Sequence, residues 1–221
     1  PLGASPTSSF NASNLTNNGV ITVASGTWTI NGSGFGNPNF TFTNNNRITH
    51  SGSGWIIGGN FINGSSGVVT YSGSTLSIYN NLDVSQGTFP SGLNVSFLDG
   101  HPGNDTTLTC GSVTLGGITV NKDDTGDMII GGSCTNTGNL TFTAGIISNP
   151  SSPYTLITQG NLAHNSSGTF GGANLTVSME GSGTSTISKT AGTFSSKLKI
   201  NKNTTATAQL STAFTVTTET C

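Results

Sequence analysis

Apolar and polar residues alternate along most of this chain. Trp28/Ile30, Phe40/Phe42, Leu76/Ile78, Leu82/Val84, Leu93/Val95/Phe97, Ile118/Val120, Leu140/Phe142, Leu175/Val177/Met179, Leu198/Ile200 and Phe214/Val216 each stand two apart. Period two places such residues on one face of a strand. The runs are rich in β-branched residues and stop at Gly, Asn, Ser or Pro, as strands do. No window keeps apolar residues at helical spacing, and helix-forming residues are scarce. The pattern predicts strands throughout and almost no helix.

The strands recur. Residues 87–89, 93–97, 111–113 and 118–122 are matched in order by 168–170, 175–179, 192–194 and 198–202, at offsets of 80 to 82 residues. A shorter phrase lies inside this period: Gly59-Asn60-Phe61, Asn80-Asn81-Leu82, Gly138-Asn139-Leu140 and Gly160-Asn161-Leu162. Its spacing is 21, 58 and 22 residues, and the middle gap reads as three copies of about 19. The expected unit is therefore about 20 residues, four to each long repeat. So short a unit cannot bury its own apolar face and must stack on a neighbour. The expected fold is all-β: a single-stranded parallel β-helix, or β-solenoid, of about ten rungs of roughly 20 residues. Residues 1–18 are expected to form an N-terminal extension and residues 19–221 the repeat domain. The apolar residues would form an internal column, with Thr, Asn and Ser facing outward.

Composition narrows the setting. Charged residues are 6% of the chain and the net charge is −2, against a usual charged fraction of about 25%. There is no electrostatic case for nucleic acid or an anionic membrane, and no apolar run is long enough to span a bilayer. The chain starts at Pro1 rather than Met, which reads as a processed or partial chain.

Candidate chemistry is sparse. Cys110 and Cys134 are about one unit apart, so adjacent rungs could bring them into a disulfide; two separate buried thiols are the alternative. Cys221 is either incidental or a link to another subunit. Asp123, Asp124 and Asp127 form a weak calcium candidate, set against a plain polar turn. No other cofactor is expected. Residues 99–105, with His101, read as a loop leaving the stack rather than an acid–base pair. His50 and His164 read as loop or rung-face histidines. Eleven Asn-x-Ser/Thr triplets, from Asn11 to Asn203, are weak signals in a chain so rich in these residues.

The run Thr193-Phe194-Ser195-Ser196-Lys197-Leu198-Lys199-Ile200-Asn201-Lys202, with the glycine-asparagine-leucine phrase, resembles the repeats of large secreted bacterial β-helix proteins of adhesin-like or surface type. The resemblance covers about residues 55–221, and residues 1–25 depart from it. It implies a rigid extended rod on or outside the cell.

Three functions follow as expectations. The first is a non-enzymatic extracellular structural subunit at the cell surface, forming a head-to-tail homopolymer through β-pairing. Leu2, Phe10 and Leu15 at one end and Phe214, Val216 and Cys221 at the other are its candidate subunit contacts. Phe214 and Val216 are still rung-like near the last residue, with no charged or helical cap, and an open sheet edge pairs readily. The second is binding or cleavage of carbohydrate, with surface glycans as partners, as in tailspikes and lyases; Trp28, Trp55 and Tyr71 would be its stacking residues. The third is ice binding by Thr-x-Thr pairs at Thr27/Thr29, Thr41/Thr43, Thr141/Thr143 and Thr215/Thr217. Asp83/Ser85, Asn94/Ser96, Thr119/Asn121 and Lys199/Asn201 interrupt that ladder.

Overall fold

The computed structural model describes residues 7–9, 14–32, 37–99, 103–122 and 126–212. They form a β-solenoid in which the chain visits three faces in turn. All pairing between strands is parallel, and each strand pairs with strands one coil away. No helix occurs among the described residues.

The first face is a ten-stranded sheet of β1 (Thr7–Ser9), β4 (Thr27–Asn31), β7 (Gly54–Ile57), β10 (Thr75–Ile78), β12 (Asn94–Leu98), β15 (Ile118–Asn121), β18 (Leu140–Ala144), β21 (Leu162–His164), β24 (Ser185–Lys189) and β27 (Ala208–Leu210). The second has nine: β2 (Asn14–Asn17), β5 (Thr41–Asn44), β8 (Asn60–Asn63), β11 (Leu82–Asp83), β13 (Thr106–Thr109), β16 (Asp127–Ile130), β19 (Ile146–Ile147), β22 (Thr169–Phe170) and β25 (Thr193–Phe194). The third is split into β3 (Val20–Val23), β6 (Arg47–His50) and β9 (Val68–Tyr71), then β14 (Thr114–Leu115), β17 (Cys134–Asn136), β20 (Tyr154–Thr158), β23 (Leu175–Gly181) and β26 (Lys197–Lys202). The number of complete turns therefore differs slightly from the ten rungs expected. β1 and β2 lie within residues 1–18 and already pair with β4 and β5 as part of the first coil.

The break in the third face has a local cause. After β11 only Thr88 bridges back, to Val68. Pro90 follows, and proline has no N–H to donate to a ladder.

The register revises the repeat. Partners on the first face are 19 residues apart from Leu76 to Val95 and 27 apart from Trp28 to Trp55. The 80-residue match carries β12 onto β23 and β15 onto β26, eleven strands on in each case. That is three turns and two further faces, so the copies do not stack as equivalent rungs. The 58-residue gap likewise joins β11 on the second face to β18 on the first, not three intervening rungs.

The inward column holds the residues that alternation marks. Trp28, Ile30, Phe40, Phe42, Leu76, Ile78, Leu82, Val84, Leu140, Phe142, Val177 and Met179 are all buried. Aromatic rings stack coil on coil: Trp28 and Trp55 lie 5.7 Å apart at 9°, and Phe170 and Phe194 5.0 Å apart. Leu198 is only partly buried and Ile200 is 50% exposed, because β26 is the last described strand of its face. Phe214 and Val216 lie outside the described residues.

The corners explain the glycine-asparagine phrase. A Cβ on Gly116 would lie 2.3 Å from the Gly92 carbonyl oxygen, and one on Gly160 2.5 Å from the backbone of Gly138. Backbone cannot move aside as a flexible side chain can, so this column admits only glycine. The asparagine beside it ties the coils together. Asn139 Oδ1 accepts from Asn161 N at 2.9 Å, and Asn161 Oδ1 accepts from Thr186 N at 2.8 Å.

Candidate functional site

The polar interior is the most organised chemistry in the chain. Asn17, Asn44 and Asn63 end β2, β5 and β8 on successive coils, and all three are buried. Asn17 Nδ2 donates to Asn44 Oδ1 at 2.8 Å, and Asn44 Nδ2 donates to Asn63 Oδ1 at 2.9 Å. Asn63 Nδ2 ends the chain on the Gln86 carbonyl at 2.9 Å. Each amide is both donor and acceptor, so a column of them satisfies itself. The expectation that Asn faces outward fails here. These side chains sit two residues after inward Leu15, Phe42 and Phe61, and so share their side of the strand.

Cys110 and Cys134 form a disulfide, with Cα atoms 5.3 Å apart. Both are buried. The bridge lies just past the break in the third face and links the coils that pair through β14 and β17. Cys221 lies outside the described residues.

Two lysines reach hydroxyls. Lys122 is buried and its Nζ donates to Thr106 Oγ1 at 2.7 Å. Lys202 Nζ donates to Ser185 Oγ at 2.6 Å, to the Glu180 carbonyl at 2.6 Å and to the Gln159 carbonyl at 3.2 Å. Burial holds the Lys202 pKa below its usual value. A serine–lysine contact suggests an activated nucleophile, but the geometry here is a clamp. Three acceptors surround one ammonium, and Ser185 is fully buried while donating to the Gln159 carbonyl.

Both described histidines are interior, not on loops or outer faces. His50 Nδ1 accepts from Gly52 N at 3.0 Å, while Nε2 meets the Gly54 carbonyl at 2.8 Å. Its ring stacks on Tyr71 at 4.8 Å and meets Trp28 and Trp55 edge-on. His164 Nε2 meets the Thr193 carbonyl at 3.2 Å, and its Nδ1 is buried without a partner. Phe142 and Phe170 flank it. Burial is the main cause that lowers both pKa values below 6.5; for His164 the nearby Lys189 charge adds to it. Backbone acceptors at Gly54 and Val23, and at Thr193, act in the opposite direction.

Below the ordinary imidazole pKa the unfolded chain takes up protons that the folded chain refuses, so acid favours unfolding. The stability is present above about pH 6.5 and is lost as pH falls through the lower folded values. Melting followed by circular dichroism should be level at about pH 7–8 and fall steadily below about pH 6.5. The His50→Gln, His164→Gln variant should show a flatter acid limb. An equally steep limb in the variant contradicts this assignment.

The other candidates are dispersed. Asp123 and Asp124 lie outside the described residues, as does His101. Asp127 accepts from Ser148 Oγ, and its backbone N–H donates to Asp105 Oδ1 at 3.2 Å. Among the described residues no three His, Cys, Asp or Glu side chains gather as a metal set. Trp28, Trp55 and Tyr71 are buried and offer no ring to a sugar. Thr27/Thr29 stand beside Gly54/Ile56 on the next coil, and Thr41/Thr43 beside Asn60/Ile62, so no broad threonine lattice forms there. Leu15 packs partly against the core. Leu2 and Phe10 lie outside the described residues. No described helix is long and apolar enough to cross a membrane.

The fold and its stacked coils define a β-solenoid repeat protein. No known protein family, curated protein or solved structure matches the chain.

Proposed function

We propose that this chain is a non-enzymatic, extracellular structural subunit, adhesin-like in its repeats, that assembles end to end into a filament or cell-surface fibre through β-pairing. The observation that carries the reading is the direction of cohesion. Strand ladders, asparagine columns and aromatic stacks all run from coil to coil along one axis. Such interactions continue across a junction whenever a second copy presents the same edge. Among the described residues β25, β26 and β27 pair on one side only. Ile200 and Leu210, on β26 and β27, are 50% and 62% exposed. The Cys110–Cys134 disulfide supports an oxidising compartment outside the cytosol.

The experiment is the Ile200→Lys, Leu210→Lys variant, since lysine on a sheet edge opposes pairing. Wild-type chain should sediment as polymers. The variant should remain short while its melting temperature stays within a few degrees of wild type. Wild-type chain that stays monomeric at high concentration contradicts the proposal.

A further inference from the structure

We infer that the first face is a lateral docking surface for the same face of a second copy. Its residues are segregated by charge. Across its ten strands the one charged residue is Lys189, at the end of β24. Other charges lie elsewhere: Asp83 and Asp127 on the second face, Arg47, Glu180 and Lys197 on the third. Asp99 and the buried Lys122 fall just past the ends of β12 and β15.

Most outward side chains of this face are small, and one column of them stays in register. Ile56, Ser77, Ser96, Thr119, Thr141, Ala163 and Ser188 form one outward column through seven consecutive strands. A groove lined by Asn94, Ser96, Gly117, Thr119, Asn139 and Thr141 lies over this column. Ordering short side chains costs little entropy. Hydroxyl and amide groups both donate and accept, so two identical faces can satisfy each other whatever the fine offset. Polar sheets of this kind pack face to face at about 10 Å.

The area suffices. Nine inter-strand steps of about 4.8 Å and strands of about four residues at ~3.3 Å give a footprint on the order of 570 Å² per copy. Two copies bury about 1,100 Å², just above the roughly 1,000 Å² that a specific interface needs. A neutral polysaccharide is the competing occupant. It is disfavoured because sugar platforms use exposed aromatic rings, and the outward column from Ile56 to Ser188 contains none. The pairing does not rest on end-to-end growth: the same face meeting itself is isologous and closes at two copies. The centre of the pair falls between β12 and β15, the middle strands of the sheet.

Sedimentation velocity between about 1 and 100 µM tests this in the Ile200→Lys, Leu210→Lys background, where end growth is blocked. The background chain should form dimers. Adding Thr119→Lys with Thr141→Lys should weaken pairing at least tenfold, whereas Thr107→Lys on the second face should leave it unchanged. In a Cys221→Ser background, Ser96→Cys with a short bismaleimide should give dimers and nothing larger; this arm needs no charge in the sheet. Monomer throughout, or equal pairing in the Thr119/Thr141 and Thr107 variants, overturns the inference. So does a monomer that instead sediments with microcrystalline cellulose or chitin through this face. Failure of the wild-type chain to polymerise, with dimers retained, contradicts the filament and leaves the face pairing standing.

Discussion

Leu140→Asp should destroy the central coils. Leu140 is fully buried and stands in register between Ile118 and Leu162. The carboxylate would enter a continuous apolar column with no cation beside it. Burying an unpaired charge costs several kcal/mol even after it takes up a proton, so a loss above about 4 kcal/mol is expected. Leu140→Ala removes the same contacts without the charge and should cost about 2–5 kcal/mol. Thr143→Asp, on the same strand but exposed, should change stability by no more than about 0.5 kcal/mol. Circular dichroism and thermal melting separate the three. Strand-rich spectra and unchanged melting for Leu140→Asp contradict the inward assignment of β18.

Removing the disulfide should have the next largest effect. The cysteines are 24 residues apart in sequence. Closing a loop of that size restricts the unfolded chain by about 3 kcal/mol. The Cys110→Ser, Cys134→Ser variant should melt roughly 6–12 °C lower than the oxidised wild type. Non-reducing peptide mapping of the wild type should recover the two cysteines joined. Both found alkylated without reduction contradicts the bridge, and unchanged melting in the variant contradicts its structural weight. The loss should begin near the third-face break, where Pro90 interrupts the ladder and the bridge spans successive coils.

The strand content and the inward apolar set were legible because alternation is a local property. Leu93/Val95/Phe97 and Leu175/Val177/Met179 reveal their burial without knowledge of their neighbours. The coil itself was not legible. Every face presents the same text, a short alternating strand and then a glycine corner, so residues 93–97 on the first face read like residues 175–179 on the third. Self-similarity therefore counts strands, and eleven of them do not close a whole number of turns. Face identity depends on cumulative corner lengths, which vary between rungs.

The buried polar residues were missed for a different reason. Asn, His and Thr were read by chemical type as outward, although their position in the alternation was available. Asn44 follows inward Phe42 by two, His50 follows Ile48, His164 follows Leu162 and Asn136 follows Cys134. All four are buried. Inside a solenoid each inward position faces its equivalent one coil away, so a polar residue there can pair along the stack, as Asn44 does with Asn17 and Asn63. Ile200 is the converse case: its place in the alternation is inward, but no described strand covers it.

Cryo-electron microscopy of the assembled chain tests the filament most directly. The filament should show an axial rise per subunit on the order of 45–50 Å, with the ~4.8 Å strand spacing running unbroken through each junction. Isolated particles, or filaments in which the strand ladder stops at every subunit boundary, contradict it.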